Sequence, residues 1–186
     1  VITILDGLFI IPTENLFNSK SAFLRSVISV PTTNVAFRPS KSISVADLEL
    51  ITKKISINYK ASKNNVVSDT ENDVLKMTVV NRYETRPPAL AFINGLGLEK
   101  GAIASSIAHD SHNIICAGTS DREIMEAVNW IIRNKGGIVA YDGENYIGLP
   151  LPIAGIMTDK PVAVAAEMYR KASDLAKTMG SKLTAP

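Results

Sequence analysis

The stretch NIICAGTSDREIMEAVNWIIRNKGGIVAYDGENYIGLPL, residues 113–151, reads as a strand, a helix and a hairpin in that order. The apolar run after Asn113 closes at Gly118, as a short buried strand does. Ser120 is a good helix N-cap, and Glu123 stands three residues on in the capping-box position. Ile124, Val128, Ile131 and Ile132 then recur at helical spacing, and Gly136 ends the helix. GIVAYDGENYIGLPL follows as two strands around Asp142-Gly143, a dipeptide suited to a hairpin turn.

Further short apolar runs lie upstream: VLKMTVVNRY from Val74, ALAFINGLG from Ala89 and GAIASSIAH from Gly101. Each is bounded by Pro, Gly, Asn or Asp, the mark of neighbouring strands joined by short loops. Downstream, a second helix starts near Asp159-Lys160-Pro161, where proline suits a first turn. Val162, Ala165, Ala166, Tyr169, Ala172 and Ala176 are its spaced apolar positions, and Gly180 closes it. Strands broken by only a few helices predict an α+β fold, a mostly antiparallel or mixed β-sheet with the helices packed on one side.

The first 40 residues are less legible. VITILDGLF and AFLRSVISV suit strands, with Pro12, Pro31 and Pro39 between and after them. SVADLEL, from Ser44, fits a helical turn or two, with Asp47 in the capping-box position. KKISINYK alternates, with Ile55, Ile57 and Tyr59 on one face, and ASKNNVVSDTEND reads as an exposed loop.

Composition narrows the class. At 186 residues, 46% of them hydrophobic, the chain suits one domain with a substantial core. A net charge of +2 from scattered basic residues gives no basic stripe for nucleic acid. Cys116 alone permits no internal disulfide, so the reading is a buried structural thiol in a cytoplasmic protein. No apolar run approaches the roughly 20 residues of a membrane span, and no basic segment precedes the apolar start to make a signal peptide. The chain opens on Val1 and stops after KLTAP, which reads as a piece of a longer chain or a separated subunit.

Both histidines fall in SSIAHDSHN, Ser105–Asn113. Imidazoles beside a carboxylate suit a divalent first-row ion. On a strand, however, His109 and His112 would point to opposite faces, and no further histidine or cysteine completes a ligand set. A serine triad from Ser105 or Ser106 with His109 and Asp110 fails, since triad members come from separate segments. The zinc deaminase pattern is also missing. The residues themselves leave two readings open: a site loop, or a polar turn in which Asp110 and Ser111 bond their own backbone. Asn94–Gly101, NGLGLEKG, precedes a strand where a phosphate loop needs a helix, and so reads as a turn between strands. Pro150–Gly155 reads as a structural connection.

Three segments in order resemble one family. FINGLGLEKGAIASSIAHDSHNI (Phe92–Ile114), AVNWIIRNKGGIVAYDGE (Ala127–Glu144) and LPLPIAGIMTDKP (Leu149–Pro161) resemble the C-terminal domain of adenine deaminase, of the amidohydrolase superfamily. The likeness is strong from about Asp73 to Gly180. It implies hydrolysis of adenine to hypoxanthine and ammonia in purine salvage, with catalysis in a metal-bearing (β/α) barrel that is absent from this chain. That barrel uses a His-x-His pair and manganese or iron; His109 and His112 form His-x-x-His, so no metal ligand carries over. The implied candidates are His109, Asp110, His112 and Asn113 for a catalytic role, and Ser105 and Ser106 for substrate binding. Residues 1–40 would be a segment or linker from the barrel and 41–186 the domain itself. The implied partners are adenine, the barrel and a second copy in a homo-oligomer, and the competing expectation is a non-catalytic structural or oligomerisation module.

Overall fold

The computed structural model describes residues 3–5, 8–10, 30–31, 42–47, 52–57, 60–62, 65–84, 87–109 and 111–186. In chain order the strands are β1 (Thr3–Leu5), β2 (Leu8–Ile10), β3 (Val30–Pro31), β4 (Ser42–Ser44), β5 (Lys53–Lys54), β6 (Lys60–Ser62) and β7 (Asn65–Val67). Then come β8 (Val74–Val80), β9 (Ala89–Asn94), β10 (Ala102–Ser105), β11 (Ile114–Gly118), β12 (Gly137–Tyr141) and β13 (Tyr146–Pro150). Helix α1 (Asp121–Arg133) separates β11 from β12, and α2 (Val162–Thr178) follows β13. Eight strands form one sheet in the order β13-β12-β10-β11-β8-β9-β4-β5. Every pairing in it is antiparallel except β4 with β9. The fold is α+β, with a mixed sheet and no barrel in this chain.

The two helices lie on opposite faces of this sheet, not on one side as the sequence suggested. Alternation along the strands sets this up: Ala102, Ala104, Cys116, Val139 and Tyr141 share a core with Ile124, Val128 and Ile131 of α1. Their neighbours Ile103, Ile115, Ala117 and Ala140 point the other way and pack with Ala176 and Met179 at the end of α2. Each fully buried aliphatic side chain here contributes on the order of 1.5–3 kcal/mol. Small residues let α1 come close. A Cβ on Gly118 would sit 2.8 Å from Ile124 Cγ1, and one on Gly137 or Gly148 would sit 2.7 Å from the Trp130 ring. Beneath the start of α1, the buried Lys76 ammonium pairs with Asp121.

Several local expectations change. Part of the segment read as an exposed loop is the antiparallel pair β6–β7, with Val66 buried against Val74 and Phe92. Ser44 ends β4, and Asp47 accepts hydrogen bonds from Thr184 instead of capping a helix. The alternation in KKISINYK survives as half-buried Ile55 and Ile57, although only Lys53–Lys54 pair as a strand; Tyr59 lies outside the described residues. β1 and β2 form a hairpin, while of AFLRSVISV only Val30 is described, in β3. The β12–β13 connection runs over four residues, with Asp142 Oδ1 accepting from the Glu144 and Asn145 amides. Backbone geometry leads there to an Asx-type turn in place of the two-residue turn.

Candidate functional site

The strand directions carry several loops to one end of the sheet. β8, β10 and β13 finish there, and β9, β11 and β12 begin there. Segments 81–84, 106–109 with 111–113, and 151–157 therefore meet, and Arg82 is what joins them. It follows β8 directly, and its side chain is buried, with the residue 4% exposed. Its Nη1 donates to the His112 carbonyl at 2.7 Å and its Nη2 to the Ala154 carbonyl at 2.6 Å. The Arg82 amide donates to Asn113 Oδ1 at 3.0 Å, and the Tyr83 hydroxyl donates to the Ser111 carbonyl at 2.9 Å. Burial pulls the Arg82 guanidinium below its ordinary pKa, against a smaller opposing influence from Tyr83. The fork geometry of a guanidinium allows one side chain to hold two carbonyls from distant loops.

Ser106 supplies a second link. Its buried hydroxyl donates to the Gly155 carbonyl and accepts from the Gly137 amide at 2.8 Å. Gly155 must be glycine, because a Cβ there would lie 2.1 Å from Arg82 Nη2 and its φ is +74°. Ala154 and His112 also take positive φ, 55° and 46°, so both loops bend sharply at the point where Arg82 holds them. Pro150–Gly155 is thus part of the site end as well as a connection.

The nominated residues divide accordingly. Ser106, His112 and Asn113 are brought together around Arg82. Ser105 ends β10, and its Oγ accepts from the Ile107 amide at 2.9 Å. His109 is exposed on the loop, and Asp110 lies outside the described residues. His112 is half-buried, its amide donates to the Ala108 carbonyl at 2.6 Å, and its Nδ1 is buried without a hydrogen-bond partner among the described residues. Neither Arg82 nor Tyr83 stood out in the sequence: an arginine after an apolar run is ordinary, and only the fold buries it. Among the described residues, no group of three or more His, Cys, Asp or Glu side chains is placed to hold a metal ion. No helix among them is long and apolar enough to cross a membrane.

Elsewhere the glycine-rich turn is held from a distance. Asp73 accepts from the Gly95 amide at 3.0 Å and the Gly97 amide at 2.7 Å, so the backbone donors of that turn are already engaged. Between α2 and the second sheet face lies an apolar cavity of about 170 Å³, bordered by Ser105, Ile138 and Tyr169 at the loop end.

Comparison with known proteins gives the same relationship throughout. A sequence model of the adenine deaminase C-terminal domain matches residues 49–186. Adenine deaminase of Methanosarcina mazei is 41% identical over 184 residues, 95% of this chain and 33% of the relative. Adenine deaminase of Parabacteroides distasonis is 45% identical over 137 residues, 74% of this chain and 25% of the relative. For adenine deaminase of Sulfurovum sp. the figures are 50% over 127 residues, 68% and 22%. The chain spans a third or less of the length of these curated relatives.

Proposed function

The chain belongs to the adenine deaminase C-terminal domain family, and from that premise we propose that it serves as the C-terminal portion of an adenine deaminase. In this reading adenine and water become hypoxanthine and ammonia in purine salvage in the cytoplasm. The chemistry occurs in a metal-bearing barrel outside these residues, with manganese or iron as its metal. This chain's described residues gather no ligand set for such a metal, so its contribution is to shape and close the purine pocket. Residues 41–186 form the accessory domain, and 1–40 lead into it from the barrel.

The observation that carries this reading is the Arg82 junction. It ties together two of the three family-like segments, AHDSHN and LPIAG, at one end of the sheet. A buried cation holding two strained loops fixes the shape of a surface, which is what a pocket wall requires. His109, Asp110, His112 and Asn113 are the groups proposed to face the purine, with Ser105 beside them. Ser106 would act through the backbone it holds.

A second reading, a purely structural or oligomerisation module, draws on the fact that Arg82 and Ser106 bond mainly to backbone carbonyls. One experiment separates the two. In the full-length enzyme, His109→Ala with His112→Ala is expected to lower kcat/KM for adenine at least tenfold while the melting temperature and oligomer mass hold steady. Unchanged kcat/KM, with a lower melting temperature or a dissociated oligomer, would establish the structural module instead.

A further inference from the structure

Exposed apolar side chains are not spread evenly over this molecule. Ile107, Ile153, Met157, Val162, Val164 and Tyr169 are the exposed large hydrophobic residues among those described. Ile107 lies on the AHDSHN loop, and Ile153 and Met157 on the loop after β13. Val162 and Val164 open α2 directly beyond that loop, and Tyr169 borders the same cavity as Ser105 and Ile138. All of them sit toward the end of the sheet that Arg82 organises. At the opposite end, the exposed positions of the turns are Glu99, Lys100, Ser120, Glu144 and Asn145.

Helix length explains how the patch arises. α2 has 17 residues and spans roughly 25 Å, whereas the five-residue strands β12 and β13 beneath it span roughly 17 Å. Its apolar line runs Val162, Ala165, Tyr169, Ala172, Ala176, yet only Ala172 and Ala176 are buried. The first two turns overhang the sheet. Val162 is 85% exposed and Val164 45%. The start of the helix is not dressed for water either: Pro161 gives no side-chain cap, and the first turn has no acidic residue. The solvent face lies elsewhere, where Arg170 pairs with Glu167 and Asp174 and Lys171 with Glu167.

We infer that this overhanging half of α2, with the loop residues Ile107, Ile153 and Met157, is the surface on which the rest of the deaminase polypeptide docks. The inference rests on the functional reading above and adds the contact face to it. The occupant is argued from length: two thirds or more of each matched relative lies outside the portion this chain covers. A remainder of that size has to meet this domain somewhere, and the apolar surface, the overhanging helix and the Arg82 loops coincide at one end. Docking there places the AHDSHN loop at the junction.

Amide hydrogen exchange tests this with two proteins. One is the 186-residue chain by itself; the other is the Methanosarcina mazei enzyme with its matching third replaced by these residues. Amides of residues 162–169 are expected to exchange at least tenfold more slowly in the hybrid. Val162→Glu with Val164→Glu should abolish that slowing while leaving the melting temperature of the isolated chain unchanged, since acidic side chains suit a helix start. Unchanged exchange over 162–169, or slowing confined to the turns at 95–101 and 142–145, would overturn the inference. So would concentration-dependent dimerisation of the isolated chain lost in the double variant, which would assign the face to a second copy. Slowed exchange in a hybrid that releases no ammonia from adenine would uphold the docking face and sink the deaminase reading.

Discussion

Arg82 shows how much one residue can organise without any carboxylate in its printed hydrogen bonds. Its guanidinium meets two carbonyls from loops 30 and 72 positions away in sequence. Lysine has one ammonium in place of the fork and cannot hold both with the same geometry. Arg82→Lys is therefore expected to destabilise the chain by about 2–3 kcal/mol, because buried carbonyls lose their donor. Urea unfolding measures it, and a loss below about 0.5 kcal/mol would show that water replaces the guanidinium. Cys116 makes a different kind of prediction. Burial alone pushes its thiol well above the usual cysteine range. A folded pKa raised above the unfolded value of about 8.5 means the stabilisation is complete below that pH and is lost as pH rises. Between pH 9 and 11 the chain should lose stability more steeply than Cys116→Ala, by up to about 1.4 kcal/mol per pH unit. Parallel slopes for the two proteins would refute this.

Helix α1 was the most legible element, because its signals are local. Ser120 accepts from the Glu123 amide at 3.2 Å and donates to Glu123 Oε2 at 2.7 Å. Glu123 does more than the capping box required, since its Oε1 also accepts from the Gly101 amide at 2.9 Å and its Oε2 from the Thr119 hydroxyl. It thus ties the start of α1 to the entry of β10. Glu123→Ala should cost about 1–3 kcal/mol, more than the roughly 1 kcal/mol expected for Ser120→Ala, because it orphans a strand amide as well as a cap. Equal losses in thermal or urea unfolding would mean that the Gly101 bond adds nothing. Helix α2 was legible in extent but not in burial. Its apolar spacing continues to Val162, while the strands beneath end two turns short.

At the scale of the molecule, the chain is one sheet with a helix on each face and an asymmetry between its two ends. One end is closed by polar turns, the glycine-rich turn among them, braced by Asp73. The other gathers the Arg82 loops and the exposed apolar residues, and the exchange experiment asks whether that end is where a longer polypeptide meets this domain. The sequence by itself determined what depends on near neighbours: the strand runs from Val74 to Gly118, the capped helix at Ser120, the second helix before Gly180 and the family likeness. Only the tertiary structure decided the strand order, the placement of α1 and α2 on opposite faces, the pairing of β6 with β7 and the burial of Arg82. These rest on contacts between residues tens of positions apart, which local periodicity does not encode. The loop SSIAHDSHN illustrates the division. Its polar composition was plain in the sequence, but that it is held to LPIAG by a buried guanidinium emerged only once β8, β10, β11 and β13 were aligned in one sheet.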